Sequence, residues 1–417
     1  MINTSTLSCG VRLITEKMPH VQSVAMGVWV QAGAVFEPTR LAGISHFIEH
    51  MMFKGTEKRS AKEIAGDVDR IGGQINAFTG KEATCYYSKT LSANFAKGAE
   101  ILGDMLLNSV FDIFEIEKEK NVVVEEIKMV QDNPEDDIND VICEEVFHGS
   151  SLAKSILGTP YTLRSIKRGA IKTYLRQYYT KENIVIAVAG NFDESEVKEK
   201  LEELFSPLPS GKPDLTLEFA EYAPRFKNRL KDIEQCHICL ATKSLKSDDE
   251  RHYAMALLNN VMGGSMSSRL FQNIREQKGL AYSVYSANSA YKEDGYYNIY
   301  AGVSPDNVKK AVAAILQELA LLGKRGVTTD ELSTAKEQMK GNYIFSQESV
   351  NGRMFVIGKN YLLLDKVYLP EEVLAKIDKV GMEDMREVAA LITDPSRYSG
   401  AIVSKSRYDL KRMVNKE

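Results

Sequence analysis

The sequence predicts an α+β protein made of two homologous halves, each a mostly antiparallel sheet with helices packed on one face. Three observations predict this. The chain has 417 residues, too many for one ordinary core, and two domains of about 200 residues each are the prior. The stretch PLPSGKPDL at 207–215 concentrates proline, glycine and serine where periodicity vanishes, and reads as a linker. A succession of strand, short turn, long helix, turn and second helix starts at Tyr86 and recurs from Tyr296. A repeat at about half the chain's length is a duplicated domain, not an array of small repeats. The predicted organisation is a first half at 1–206, a linker at 207–225 and a second half at 226–417.

The elements follow in order. SVAMGVWVQAGA, 23–34, is an apolar, β-branched run and predicts a buried strand. A helix is predicted over 39–53, stopping near Gly55, and a second over 61–71, ending at Gly72-Gly73. INAFTGKEATCYYSKTL gives two strand-like segments around Gly80, a hairpin signal. Amphipathic helices are predicted over 93–108 and 115–131; Asn133-Pro134 interrupts, and a further helix reaches Phe147. From Asn183 the chain reads as strand, turn and helix, with acidic residues in the helix's first turn. RYSGAIVSKSRYDLKRMV, near the C-terminus, partly repeats that pattern.

Composition narrows the class of function. Hydrophobic residues make up 44% and charged residues 26%, with a net charge of -4, ordinary for a globular protein and without the basic concentration of a nucleic-acid binder. No apolar run is long enough to span a membrane, and the N-terminus lacks a basic segment followed by an apolar core. Cys9, Cys85, Cys143, Cys236 and Cys239 are scattered and odd in number. They read as free thiols of a reducing compartment, and the expectation is a cytoplasmic protein that binds neither nucleic acid nor membrane.

One stretch carries chemistry. HFIEHMMFKGT, 46–56, sets His46, Glu49 and His50 at i, i+3 and i+4, on one helix face. Two imidazoles one turn apart suit a single Zn²⁺. The glutamate between them is placed to take a proton from the attacking water and pass it to a leaving amine. Without a metal, a buried helix bearing these groups meets a large polar burial cost. The second half has HYAMALLNNVMGG from His252 at the corresponding place, with no second histidine and no glutamate. A catalytic zinc takes a third protein ligand. Glu119 and Glu126 lie seven apart on one face of a helix, with Val122 on that stripe and Glu125 turned away. Periodicity does not choose between Glu119 and Glu126. Three other features are discounted. Cys236 and Cys239 sit in a strand-like run and point to opposite faces, VMGGSMSSRL lacks a phosphate-loop lysine, and His148 stands at a helix end.

HxxEH is the inverted-zincin motif, and over nearly its whole length the chain resembles the pitrilysin/insulysin family of metallopeptidases, its mitochondrial-processing-peptidase-like subgroup. The resemblance implies His46, His50 and Glu126 as ligands of one Zn²⁺ per chain, Glu49 as general base and then acid, and Glu119 supporting a ligand from behind. It implies two halves that close as a clamshell. Arg275 and Tyr282, seven apart in FQNIREQKGLAYSVYS, would then hydrogen-bond the scissile carbonyl or its oxyanion. Asn76, Ala77, Phe78 and Thr79 match an edge strand that pairs with the substrate backbone. Asp136 and Asp140 match an acidic pair that reads a basic residue, although Asp136 is shorter than the glutamate of that pattern. The implied function is a zinc endopeptidase acting on peptides or unfolded segments, as a homodimer. Its alternatives are the catalytic subunit of a heterodimeric presequence peptidase and a non-catalytic peptide-binding homologue.

Overall fold

The computed structural model describes residues 2–415. One sheet contains β1 (Ile2–Thr6), β2 (Arg12–Lys17), β3 (Ser23–Val30), β4 (Gln74–Thr79), β5 (Thr84–Leu91) and β6 (Ile184–Gly190), in the order β1-β2-β6-β3-β5-β4. The other contains β7 (Phe226–Leu230), β8 (Cys236–Lys243), β9 (Ala281–Ala290), β10 (Gly295–Val303) and β11 (Ser399–Ser404), in the order β7-β11-β8-β10-β9. With β1 set aside, the two orders correspond strand for strand. Each has a parallel pairing at the same place, β2 with β6 and β7 with β11, and its other pairings are antiparallel. The duplication read from the sequence is therefore a duplication of topology, and β4 and β9 are equivalent edge strands.

The compact units do not follow the halves of the sequence. The first comprises the chain through Ile127, Lys154–Leu217 and Phe345–Leu369; the second comprises Lys128–Ala153, Glu218–Ile344 and the chain from Pro370. One crossing, between Leu217 and Glu218, falls inside the expected linker at 207–225. The others record an exchange. The helix Pro134–Val146, from the first half of the chain, lies on β8 and β11. The helix Val350–Leu364, from the second half, lies on β2, β3 and β6.

In the first unit this exchange explains why β3 is apolar throughout rather than alternating. Val24, Met26, Val28 and Val30 face Phe47, Ile48, Met51 and Met52 of the helix Ile44–Met52. Ala25 and Trp29 face Val350, Met354 and Ile357 of the exchanged helix. Phe47 and Ile48 are completely buried, each worth roughly 1.5–3 kcal/mol relative to exposure. Gly27 and Gly358 permit the close approach of strand and exchanged helix: a Cβ at either would strike Met354 or Trp29. Helices of the same half cover one face of the sheet, and a single helix from elsewhere in the chain covers the other.

Among the described residues, no helix is long and apolar enough to cross a membrane. None of the five cysteines forms a disulfide. Cys236 and Cys239 both lie in β8, Cys236 approaching the Tyr408 hydroxyl and Cys239 the Asn298 amide.

Candidate metal centre

The helix carrying the HxxEH motif is shorter than the predicted 39–53. Thr39–Leu41 forms a separate turn, and the helix proper is Ile44–Met52. Gly43 separates them in the left-handed region, with φ of 92°. A buried carboxylate fixes the new start. Glu37 accepts the Gly43 N–H at 2.6 Å and the Ser45 N–H at 2.8 Å, satisfying amides left free at a helix N-terminus. Burial pushes Glu37 up to about 7, although those two backbone bonds pull it down. Ser45, next to His46, also exchanges a 2.8 Å hydrogen bond between its hydroxyl and that of Tyr174.

From this helix His46 and His50 meet the helix Ile113–Asp132. Their Nε2 atoms lie 3.6 and 3.5 Å from Glu126 Oε2. Each residue offers one ligand atom, and these atoms lie within 4.8 Å of one another. Ligands of a tetrahedral zinc, at about 2.0–2.1 Å from the ion, stand about 3.4 Å apart. Glu126 Oε2 is buried and makes no hydrogen bond, as an atom reserved for a cation would. Burial, and then the neighbouring His50, lower His46 to about 4, so its ring is neutral and able to ligate at pH 7. Its Nδ1 is buried without a hydrogen-bond partner, so no neighbour fixes its tautomer.

The other ring is fixed. His50 Nδ1 lies 2.9 Å from Glu119 Oε1, an arrangement in which Nδ1–H donates and the Nε2 lone pair faces Glu126. Burial would lower His50, but the bond to Glu119 and the charges of Glu126, Glu119 and Glu49 outweigh it and raise its pKa. Glu119 is itself 2% exposed and is held from the far side by Lys54 Nζ at 2.6 Å. Burial opposes its charge, but the bonds to His50 and Lys54 prevail and hold it below the usual range. The sequence reading missed Lys54, although it stands four residues after His50 and its placement beside that ring was within reach.

Glu49 projects from the same helix and accepts a 2.5 Å hydrogen bond from the hydroxyl of Thr79, the last residue of β4. Its carboxyl is raised, chiefly by burial, with Thr79 and His50 opposing and Glu126 adding to the rise. β4 carries Asn76, Ala77, Phe78 and Thr79 and lies at the sheet edge. Phe78 turns to the face opposite the motif helix and meets Trp29 and Phe355 edge-on, at centroid distances of 5.5 and 5.6 Å.

The stripe drawn on the acidic helix needs one correction. Val122 is 46% exposed, whereas Ile116, Glu119, Lys120, Val123 and Ile127 are buried. Glu126 stands at the margin of that buried face, and Val122 falls beyond it on the solvent side. Glu125 is exposed.

The remaining predicted residues lie in the second unit. Arg275 sits in a π-helical stretch, Phe271–Gln277, exposed, with its guanidinium 4.7 Å from the Phe271 ring centroid. Tyr282 is 64% exposed for an identifiable reason. Gly302 pairs with Ser283 and Val303 with Ala281, which leaves Tyr282 as the extra residue of a bulge, a device that re-aims a side chain. Asp136 and Asp140 are exposed on the helix Pro134–Val146. Asp136 accepts from the side chain of the helix-capping Asn133 at 2.5 Å. Asp137, between them, is buried against Arg229 at 2.7 Å.

Comparisons with known proteins show the family. Residues 12–160 match the family model for insulinase (peptidase family M16), and residues 165–339 match that for the peptidase M16 inactive domain. The chain is 44% identical over 407 residues to the uncharacterized zinc protease YmxG of Bacillus subtilis (strain 168), covering 97% of this chain and 99% of that one. Its fold is similar to that of a protease from Helicobacter pylori, with a TM-score of 0.90 at 21% identity over 97% of this chain and 99% of that one. It is similar also to a chain of Complex III2 from Candida albicans, with a TM-score of 0.87 at 18% identity over 100% and 99%. A relative 44% identical along nearly the whole length, with two family models matched in order, shows that the chain belongs to the insulinase family, peptidase family M16.

Proposed function

We propose that the chain is a zinc endopeptidase that cleaves peptides or unfolded protein segments. The observation that carries this reading is the meeting of His46 Nε2, His50 Nε2 and Glu126 Oε2 around one point, with Glu49 on the same helix. These three residues would hold one Zn²⁺ per chain. The ion, when bound, supplies a Lewis acid and makes water nucleophilic at neutral pH.

The remaining steps belong to side chains. Glu49 takes the proton of the attacking water and returns it to the leaving amine. A carboxyl raised by burial suits a group that must both accept and donate near neutrality. Glu119 and Lys54 keep His50 oriented. Substrate lies against the edge of β4, where backbone pairing gives affinity with little demand on sequence. Arg275 and Tyr282 donate to the scissile carbonyl oxygen, where negative charge develops. Preference for a basic residue would rest on Asp136 and Asp140, of which Asp136 also accepts from the Asn133 side chain that caps the helix. The processing-peptidase-like subgroup, a homodimeric state and a cytoplasmic setting complete the proposal.

The inactive-domain description of the family model matched at 165–339 raises the reading of a homologue without activity, and the convergence of the ligand atoms with a base beside them favours the enzyme. A mixture of unstructured peptides tests it. Wild-type protein should cut internal bonds, lose this activity on exhaustive chelation and regain it with one equivalent of zinc. Peptides left whole by zinc-loaded protein would refute the proposal.

A further inference from the structure

The β4–β5 hairpin shows which backbone groups are free. Gly80 N–H donates to the Ala83 carbonyl at 2.8 Å, so Gly80 and Ala83 form a hydrogen-bonded pair. Such pairs alternate with non-bonded ones along an antiparallel ladder. In this register, with Thr79 opposite Thr84 and Ala77 opposite Tyr86, Ile75, Ala77 and Thr79 direct their N–H and C=O groups to the open edge. One detail agrees. The Ala77 N–H is held by its neighbour's side chain, Asn76 Oδ1, at 2.8 Å.

Thr79 therefore does two things at once. Its backbone belongs to the set available to an incoming strand. Its hydroxyl donates to Glu49 Oε2 at 2.5 Å, a length typical of a charge-assisted O–H···O⁻ bond. The geometry points to Thr79 as a positioning residue that ties pairing of an extended peptide on β4 to the orientation of the Glu49 carboxylate. This rests on the proposed peptidase function and adds to it. A peptide seated on the Thr79 backbone fixes the residue whose hydroxyl sets the base, so alignment of the substrate and aim of the base are set together. A side chain that merely filled space here would need no hydroxyl.

Thr79→Val keeps the shape and the β-branch and removes the donor; Thr79→Ser keeps the donor. The zinc-loaded chain is assayed on an unstructured peptide, and zinc content is measured separately. In Thr79→Val, kcat should fall roughly 10- to 100-fold, the scale for a misaimed reacting group. KM should stay within about twofold, because uniform binding is untouched. Zinc should remain at the wild-type ratio, and Thr79→Ser should recover most of the rate. An unchanged kcat in Thr79→Val, a change confined to KM, or a serine variant as slow as the valine one would overturn the inference. Loss of zinc in Thr79→Val would overturn it too, by showing that Thr79 supports the metal site instead. A wild-type chain that binds zinc and cleaves peptide in the same assay keeps the peptidase reading separate from any such failure. A wild-type chain that does neither sinks both.

Discussion

Glu49→Gln should retain zinc and peptide and lose hydrolysis, with kcat falling about 10²- to 10⁴-fold, the contribution of a positioned acid-base group. The substitution preserves shape and keeps an acceptor for the Thr79 hydroxyl, which donates to Oε2 in the native chain. It removes the only property the proposed step needs, a carboxylate that can carry a proton. Glu49 is not among the three convergent ligand atoms, so the metal should stay. The measurement is paired: metal content and peptide affinity at wild-type values, with single-turnover cleavage nearly abolished. Full cleavage by Glu49→Gln would refute the role given to this residue.

Glu126→Ala should release the metal. It deletes the single atom that stands 3.6 and 3.5 Å from both imidazole Nε2 atoms and leaves two ligands. Affinity should drop beyond the roughly 10- to 100-fold lost when a residue holding a ligand from behind is removed. After dialysis against a mild chelator the variant should carry little zinc and show background activity. Glu125→Ala, on an exposed neighbour in the same helix, is the control and should behave as wild type. If Glu126→Ala kept its zinc, the third ligand would lie elsewhere.

Much of this site was legible in the sequence, for reasons specific to each residue. His46, Glu49 and His50 declare themselves because helical spacing alone brings them together. The proposed third ligand does not. Glu119 and Glu126 share a face, and the structure gives each a place on a different nitrogen of His50, Nδ1 at 2.9 Å and Nε2 at 3.5 Å. Periodicity cannot make that distinction; the family resemblance implies one, with Glu126 on the ion and Glu119 behind His50. Glu37 and Thr79 were beyond local reading as partners of the motif helix. The loop that brings Glu37 onto Gly43 and Ser45, and the sheet edge that brings Thr79 to Glu49, are tertiary facts. The same holds for the fold. Repeated strand and helix patterns exposed the duplication, but the two exchanged helices, Pro134–Val146 and Val350–Leu364, sit on sheets far from their own place in the chain. The bulge that exposes Tyr282 is a register fault between two strands, invisible in either strand alone.

The central claim is a single divalent ion held by His46, His50 and Glu126, and crystals of the zinc-loaded chain test it most directly. An anomalous difference map at the zinc edge should show one peak per chain, in contact with Nε2 of both histidines and with the Glu126 carboxylate. A map with its peak at other side chains, or with none at these three under zinc saturation, would contradict the account.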